Sequence, residues 1–280
     1  MKTVGDCWRL YEKNHIPSTV NPGALRAYWG RLVWFDDLQA GGLSPMEVKA
    51  YCQYRKEAGV QAGTINRELA ILRAALRHAE RYDLIEKAPY IKSLPKPPPK
   101  MITLNRDEAK RMIKAADEKG SWLYQVYIRL ALGTGQRTSA ILDLQWERVD
   151  QENKVLDFKV YSDDKSHRMK RRAVVPMNDT TAQAIKIALR HQKGPYVINN
   201  QGKRLYSPRE MVAKMAKWAG LESVTPHVLR HTVASILLQE DEDLLKVSRL
   251  LGHASTVITQ QVYFQHPPSW LKNTAAKLKF

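Results

Sequence analysis

The segment Leu94-Pro95-Lys96-Pro97-Pro98-Pro99-Lys100 places four prolines within five residues. Proline fixes φ and removes a backbone donor, so neither a helix nor a central strand can run through it. An extended, semi-rigid connector is favoured instead. The 280-residue chain is thereby cut into two parts of ordinary domain length. The expected organisation is a helical domain over residues 1–92, a connector over 93–100 and a second domain over 101–280.

Ahead of the connector, four segments carry helical signatures: Thr3–Asn14, Pro22–Leu38, Ser44–Glu57 and Gly63–Leu84. Ser44-Pro45-Met46-Glu47 combines a serine cap, proline at the first helical position and glutamate three after the cap. In the fourth segment Ile65, Leu69, Leu72, Leu76 and Ala79 recur at helical spacing and form a stripe to be buried. Arg73, Arg77 and Arg81 lie on a different face at i+4 spacing. By themselves they read first as a solvated charged face and second as a row of phosphate contacts.

Beyond the connector, helical patterns return after Thr103-Leu104-Asn105-Arg106-Asp107-Glu108, then at Trp122–Leu132 and Thr138–Leu144. Alternating stretches at Lys154–Tyr161 and Arg172–Met177 predict a hairpin. Further helices are predicted at Thr181–His191, Ser207–Ala219, Pro226–Leu238 and Leu244–Leu250. The fold class is therefore mainly α (α+β), with a small antiparallel sheet in the second domain.

Lys and Arg number 45 against 28 Asp and Glu, for a net charge of +17. Residues 1–100 carry +6 and the remainder +11, so both parts suit the same polyanion. Cys7 and Cys52 read as two buried or half-buried thiols in a reducing compartment rather than as a disulfide, and no paired Cys/His spacing suggests zinc. No apolar run approaches the ~20 residues of a membrane span, and the N-terminus lacks a secretory pattern. A cytoplasmic location is expected.

Thr225-Pro226-His227-Val228-Leu229-Arg230-His231 is the segment richest in chemistry. A threonine cap followed by proline starts a helix and leaves backbone N–H groups unpaired beside His227. His227 and Arg230 are three apart and share a face. A helix N-terminus flanked by histidine and arginine favours phosphate. A capped helix with an incidental basic pair is the plainer account of the same residues. His231 points elsewhere and reads as a packing residue.

Arg137 follows the break Gly133-Thr134-Gly135, where a tight turn can present a side chain into a cleft. Leu250-Leu251-Gly252-His253 ends a helix on glycine and puts His253 just past the stop. Tyr263 follows ten residues later in a polar stretch. Taken singly, Arg137 suits any helix start, and tyrosine packs more often than it attacks.

Their order is more telling. Gly-Thr-Gly-x-Arg, a Lys-rich hairpin, His-x-x-Arg-His, Leu-Leu-Gly-His and then Tyr resembles the tyrosine recombinase (phage integrase) family. The likeness covers essentially the whole second domain. The first domain, with Gly63-Thr64-Ile65-Asn66-Arg67-Glu68-Leu69, is similar to that family's SAM-like core-binding domain.

That resemblance implies a site in which Arg137 and Arg230 clamp the nonbridging oxygens of a scissile phosphate. His227 as a base and His253 as a hydrogen-bond donor complete the cluster. Tyr263 is the implied nucleophile, leaving a 3′-phosphotyrosine and a free 5′-hydroxyl. A hairpin lysine protonates the departing oxygen: Lys165 is the first choice, Lys170 the rival and Lys159 the third. Implied DNA contacts are Arg67, Arg73, Arg77 and Arg81, the connector residues Lys96 and Lys100, and Arg168 and Lys170 in the hairpin. The chemistry is coherent. Fixed guanidiniums stabilise charge developing on the phosphoryl oxygens, a tyrosine of ordinary pKa about 10 needs activation, and an alkoxide leaves with an acid's help. No metal, ATP or other cofactor is implied, and Asp163-Asp164 and Asp241-Glu242-Asp243 read as solvated charges.

The sequence departs from the family pattern in three places. Ala140 stands where many members have an acid three after the first arginine. His253 and Tyr263 are ten apart rather than nine, and the hairpin is longer and richer in cations than usual. The implied partners are double-stranded DNA, further copies forming a tetramer on paired sites, and accessory DNA-bending or directionality proteins, with no membrane. The tail Ser269–Phe280 suits docking on a neighbour or on its own domain equally. With a helix expected from Thr3, no room is left ahead of it for an arm-site domain. A DNA-binding protein of the same fold without strand transfer, and a type IB topoisomerase, remain as alternatives.

Overall fold

The computed structural model describes residues 2–19, 21–95, 101–159 and 172–252. Within them the chain is mainly helical with a small antiparallel sheet, and it divides into two units, each with its own hydrophobic core.

The first unit is built from α1 (Val4–Asn14), α2 (Pro22–Leu32), α3 (Pro45–Glu57) and α4 (Ala62–Arg81). Reciprocal capping boxes start two of them, Thr3 with Asp6 and Ser44 with Glu47, each satisfying two N–H groups that a helix start leaves unpaired. The predicted α4 stripe is wholly buried, and α4 packs against α1, α2 and α3. α2 ends at Leu32, earlier than the sequence suggested. The chain tightens there into a 3-10 turn over Val33–Phe35, which buries Phe35 and leaves Trp34 exposed. After α4 the chain stays fastened to this unit as far as Leu94. The side-chain amide of buried Asn66 donates to the Leu94 carbonyl at 2.8 Å and accepts from its N–H at 2.7 Å.

The second unit opens with α5 (Arg106–Lys119), capped reciprocally by Asn105 and Glu108. α6 (Trp122–Thr134) runs through its core, with Val126, Tyr127, Ile128 and Leu130 fully buried. α6 continues two residues past its expected end, and Thr134 Oγ1 in its last turn donates back to the Leu130 carbonyl at 2.6 Å. After α7 (Thr138–Leu142) come β1 (Val149–Asp150), β2 (Val155–Asp157) and β3 (Val174–Pro176), an antiparallel sheet in that order. Leu156 pairs with Val175, and both face the core. The expected hairpin is therefore present at its base, joined by a first strand that the sequence did not suggest.

α8 (Asp179–Leu189) packs on α6. A second unforeseen ladder follows, β4 (Asn199–Asn200) with β5 (Lys203–Arg204). Its two-residue turn, Gln201 at φ 53° and Gly202 at φ 84°, matches the twist of a short hairpin. α9 (Arg209–Trp218), α10 (Pro226–Gln239) and α11 (Leu244–Leu251) complete the unit. Cys7 and Cys52 are buried free thiols, as expected. No described helix is long and apolar enough to cross a membrane, and no metal-binding cluster occurs among the described residues.

Candidate active site

The site forms where the turn after α6 meets the start of α10 and the end of α11. Gly135 adopts the left-handed conformation, φ 63°, which caps α6 and reverses the chain. The next residue, buried Gln136, donates through its side-chain amide to the Leu250 carbonyl at 2.6 Å. That bond ties the turn to α11, and Arg137 follows at the N-cap of α7.

Arg230 is buried, 6% exposed, and its Nη1 donates to the Gly135 carbonyl at 2.9 Å. Its Nη2 is also buried and has no hydrogen-bond partner among the described residues. A second buried arginine in the same unit provides the comparison. Arg129, 3% exposed, donates to Asp117 at 2.7 Å, to Gln183 at 3.1 Å and to the Gln125 carbonyl at 3.3 Å. Arg129 is a structural arginine with an acid beside it. Arg230 has a carbonyl and no carboxylate as partner among the described residues. Burial, followed by the charge of Arg137, pushes the Arg230 guanidinium down to about 9. A buried cation in this condition favours an anion brought from outside.

Arg137 donates from Nη1 to the carbonyl of Gly252 at 2.9 Å. Gly252 caps α11 in the left-handed conformation, φ 66°, and immediately precedes His253. Burial lowers the pKa of Arg137, and the neighbouring charge of Arg172 lowers it further. His227 is the second residue of α10, behind the Thr225 cap, whose hydroxyl accepts the Val228 N–H at 3.3 Å. His227 is exposed, whereas His231 is half-buried, and burial, His227 and then Arg230 lower its pKa.

Arg137 and Arg230 are thus brought to one turn, with His227 at the head of the helix that carries Arg230. His253 and Tyr263 lie outside the described residues, as do Lys165, Arg168 and Lys170 of the hairpin and Lys96 and Lys100 of the connector. The hairpin base is fixed: Phe158 N–H donates to Ala173 at 3.1 Å, and the Lys159 carbonyl accepts from Arg148 at 2.7 Å. In the first unit Arg67, Arg77 and Arg81 are exposed. Arg73 departs from the expected row. It is half-buried and donates to the Ile91 carbonyl at 2.8 Å, which fastens the segment after α4.

Two features were not legible as site residues. The Gly252 carbonyl that holds Arg137 is backbone, which a motif cannot name. Arg172 looked like the first residue of a strand, yet only 15% of its side chain is exposed, because Asp143 draws it inward with a 2.6 Å ion pair. An arginine opening a strand one residue before a buried alanine was its sole trace in the sequence.

Residues 103–269 match the sequence model of the phage integrase family. The chain belongs to the phage integrase family. The tyrosine recombinase XerC of Thermodesulfovibrio yellowstonii is 29% identical over 260 residues, 84% of this chain and 83% of that protein. Among solved structures, the Tn1549 transposon integrase in complex with transposon right end DNA aligns with a TM-score of 0.81 at 19% identity, covering 99% of each chain. A lambda integrase tetramer bound to a Holliday junction aligns at a TM-score of 0.73 and 19% identity, over 93% of this chain and 77% of that one. At such identity the likeness establishes the integrase fold. The two arginines, His227 and the helix stop before His253 fall within the matched segment.

Proposed function

We propose that this chain is a site-specific tyrosine recombinase that cuts and rejoins duplex DNA through a phosphotyrosine at Tyr263. The observation that carries the reading is Arg230, a buried guanidinium with an unpartnered Nη2 beside Arg137. Two fixed cations at one turn suit the nonbridging oxygens of a phosphodiester, which gain charge as it is attacked. His227 stands at the head of α10, where it can take a proton from the tyrosine or hold the phosphate by hydrogen bonding. His253 follows the Gly252 carbonyl that fixes Arg137 and is assigned as a further donor. Lys165, with Lys170 as rival, is assigned to protonate the 5′-oxygen as it leaves. The covalent intermediate retains the energy of the phosphodiester, so neither ATP nor metal is required for religation.

The helical unit ahead of the proline connector takes the role of core-type DNA-binding domain, with Arg67, Arg77 and Arg81 available on its surface. Contacts to backbone phosphates make affinity steeply salt dependent. The integrases of similar fold are held on DNA, one of them as a tetramer on a Holliday junction. The same assembly on paired sites is the reading for this chain, with accessory bending or directionality proteins as further partners.

The test uses nicked suicide duplexes drawn from DNA flanking the gene, in buffer with chelator and without ATP. A covalent protein–DNA adduct that survives SDS supports the proposal. Tight binding with no adduct on any of these duplexes would make the chain a DNA-binding protein of the same fold.

A further inference from the structure

We propose that Arg172 is a third guanidinium of the phosphate site, aimed by the Asp143 carboxylate, and grips the DNA phosphate alongside Arg137 and Arg230. This rests on the recombinase reading given above.

Asp143 caps the C-terminal end of α7, the short helix that begins just after Arg137. Its two oxygens are shared between two arginines. Oδ2 accepts from Arg172 Nη2 at 2.6 Å, and Oδ1 accepts from Arg204 Nε at 2.5 Å. One carboxylate between two guanidiniums leaves the group cationic, so Asp143 positions Arg172 without neutralising the cluster. The Nη1 of Arg172 is buried and has no hydrogen-bond partner among the described residues. A strut joining β3 to α7 needs only the Nη2 bond, and burying a second N–H unpaired costs free energy that a strut does not recover.

The surroundings point the same way. Residues 173 and 175 are buried while 174 and 176 are exposed, so continuing that alternation back from β3 turns Arg172 outward. Asp143 overrides that alternation. The charge of Arg172 reaches Arg137, and the charge of Arg137 reaches Arg230. Three like charges in a row, two of them with a buried unpaired N–H, are stable together once an anion lies among them. Ala140, 1% exposed and without a carboxylate, cannot relieve them from the near side of α7.

The test compares single-turnover adduct formation and duplex binding for the full-length chain on the same flanking-DNA suicide duplexes. Arg172→Ala is expected to slow adduct formation about 100-fold or more, as loss of one fixed donor to a developing oxyanion does. Duplex affinity should fall by less than about threefold, since many other phosphate contacts remain. Arg172→Lys, which keeps the charge, should recover part of the rate, and Asp143→Asn should slow it about tenfold by loosening the aim. Replacing the scissile phosphate by a methylphosphonate removes one charged oxygen and should shrink the Arg172→Ala defect. If Arg172→Ala does not fold, Arg172→Lys and Asp143→Asn carry the comparison. Variants that react like the wild type on both substrates would overturn the assignment of Arg172 alone. A wild type that forms no adduct on any duplex would take the recombinase reading and this one down together.

Discussion

A methyl group on Gly135 would lie 2.5 Å from Cδ2 of Leu251, because the turn after α6 is pressed against the last turn of α11. The same glycine sits at φ 63° and offers its carbonyl to Arg230. Gly135→Ala therefore meets a left-handed backbone penalty and an overpacked contact together, about 2–4 kcal/mol in all. Urea unfolding should show that loss. Any folded variant should cleave DNA more slowly, since the carbonyl that holds Arg230 must move.

Arg230 should be a residue whose loss spares stability and abolishes activity. Burial and then the charge of Arg137 lower its guanidinium to about 9, so it is charged and costly to bury at neutral pH. The folded state binds its proton less well than the unfolded one. The cost is therefore fully present below about pH 9 and relieved only above it. Arg230→Met should melt no lower than wild type while adduct formation falls at least about 100-fold. Sulfate should raise the melting temperature of wild type more than that of Arg230→Met at matched ionic strength.

The first unit has an ion pair of the opposite kind. Glu68 is fully buried and takes Arg55 through two bonds, 3.1 and 2.8 Å, with the Tyr51 hydroxyl at 2.8 Å. Glu68→Ala leaves half-buried Arg55 and the buried Tyr51 hydroxyl without their partner and should cost about 3–5 kcal/mol. Tyr51→Phe leaves the Arg55 pair intact and should cost about 1 kcal/mol. Chemical denaturation of both variants checks the ranking.

Acid should weaken the second unit through His231. Burial is the first cause holding its pKa below 6.5, with His227 and Arg230 adding to it. The folded state thus prefers neutral imidazole. That contribution is present above pH 6.5 and lost as pH falls through the lowered folded value. His231→Gln should flatten the fall in melting temperature on the acid side. An unchanged slope would mean that His231 is not the group responsible.

The elements that were legible in the sequence are those with strong local signals. Ser44 and Glu47 announce a helix start, and the stripe from Ile65 to Ala79 announces a buried face. The two-residue strands were not legible, because Val149–Asp150 and Asn199–Asn200 are too short to show alternation and exist only through their partners. At the site, Arg137 and Arg230 could be named from their flanking glycine turn and capped helix. Arg172 could not, because its place is decided by Asp143, 29 positions away in the chain. Arg73 misled for the same reason: helical spacing put it in a row with Arg77, and the Ile91 carbonyl took it out of that row.

Tyr263 is expected to become covalently joined to DNA. Adducts formed by wild type on a suicide duplex should be digested and the DNA-linked peptide sequenced by mass spectrometry, with Tyr263→Phe run in parallel. A nucleotide on the peptide containing Tyr263, and no adduct from the variant, are the expected results. A nucleotide on any other residue, or an undiminished adduct from Tyr263→Phe, would contradict it.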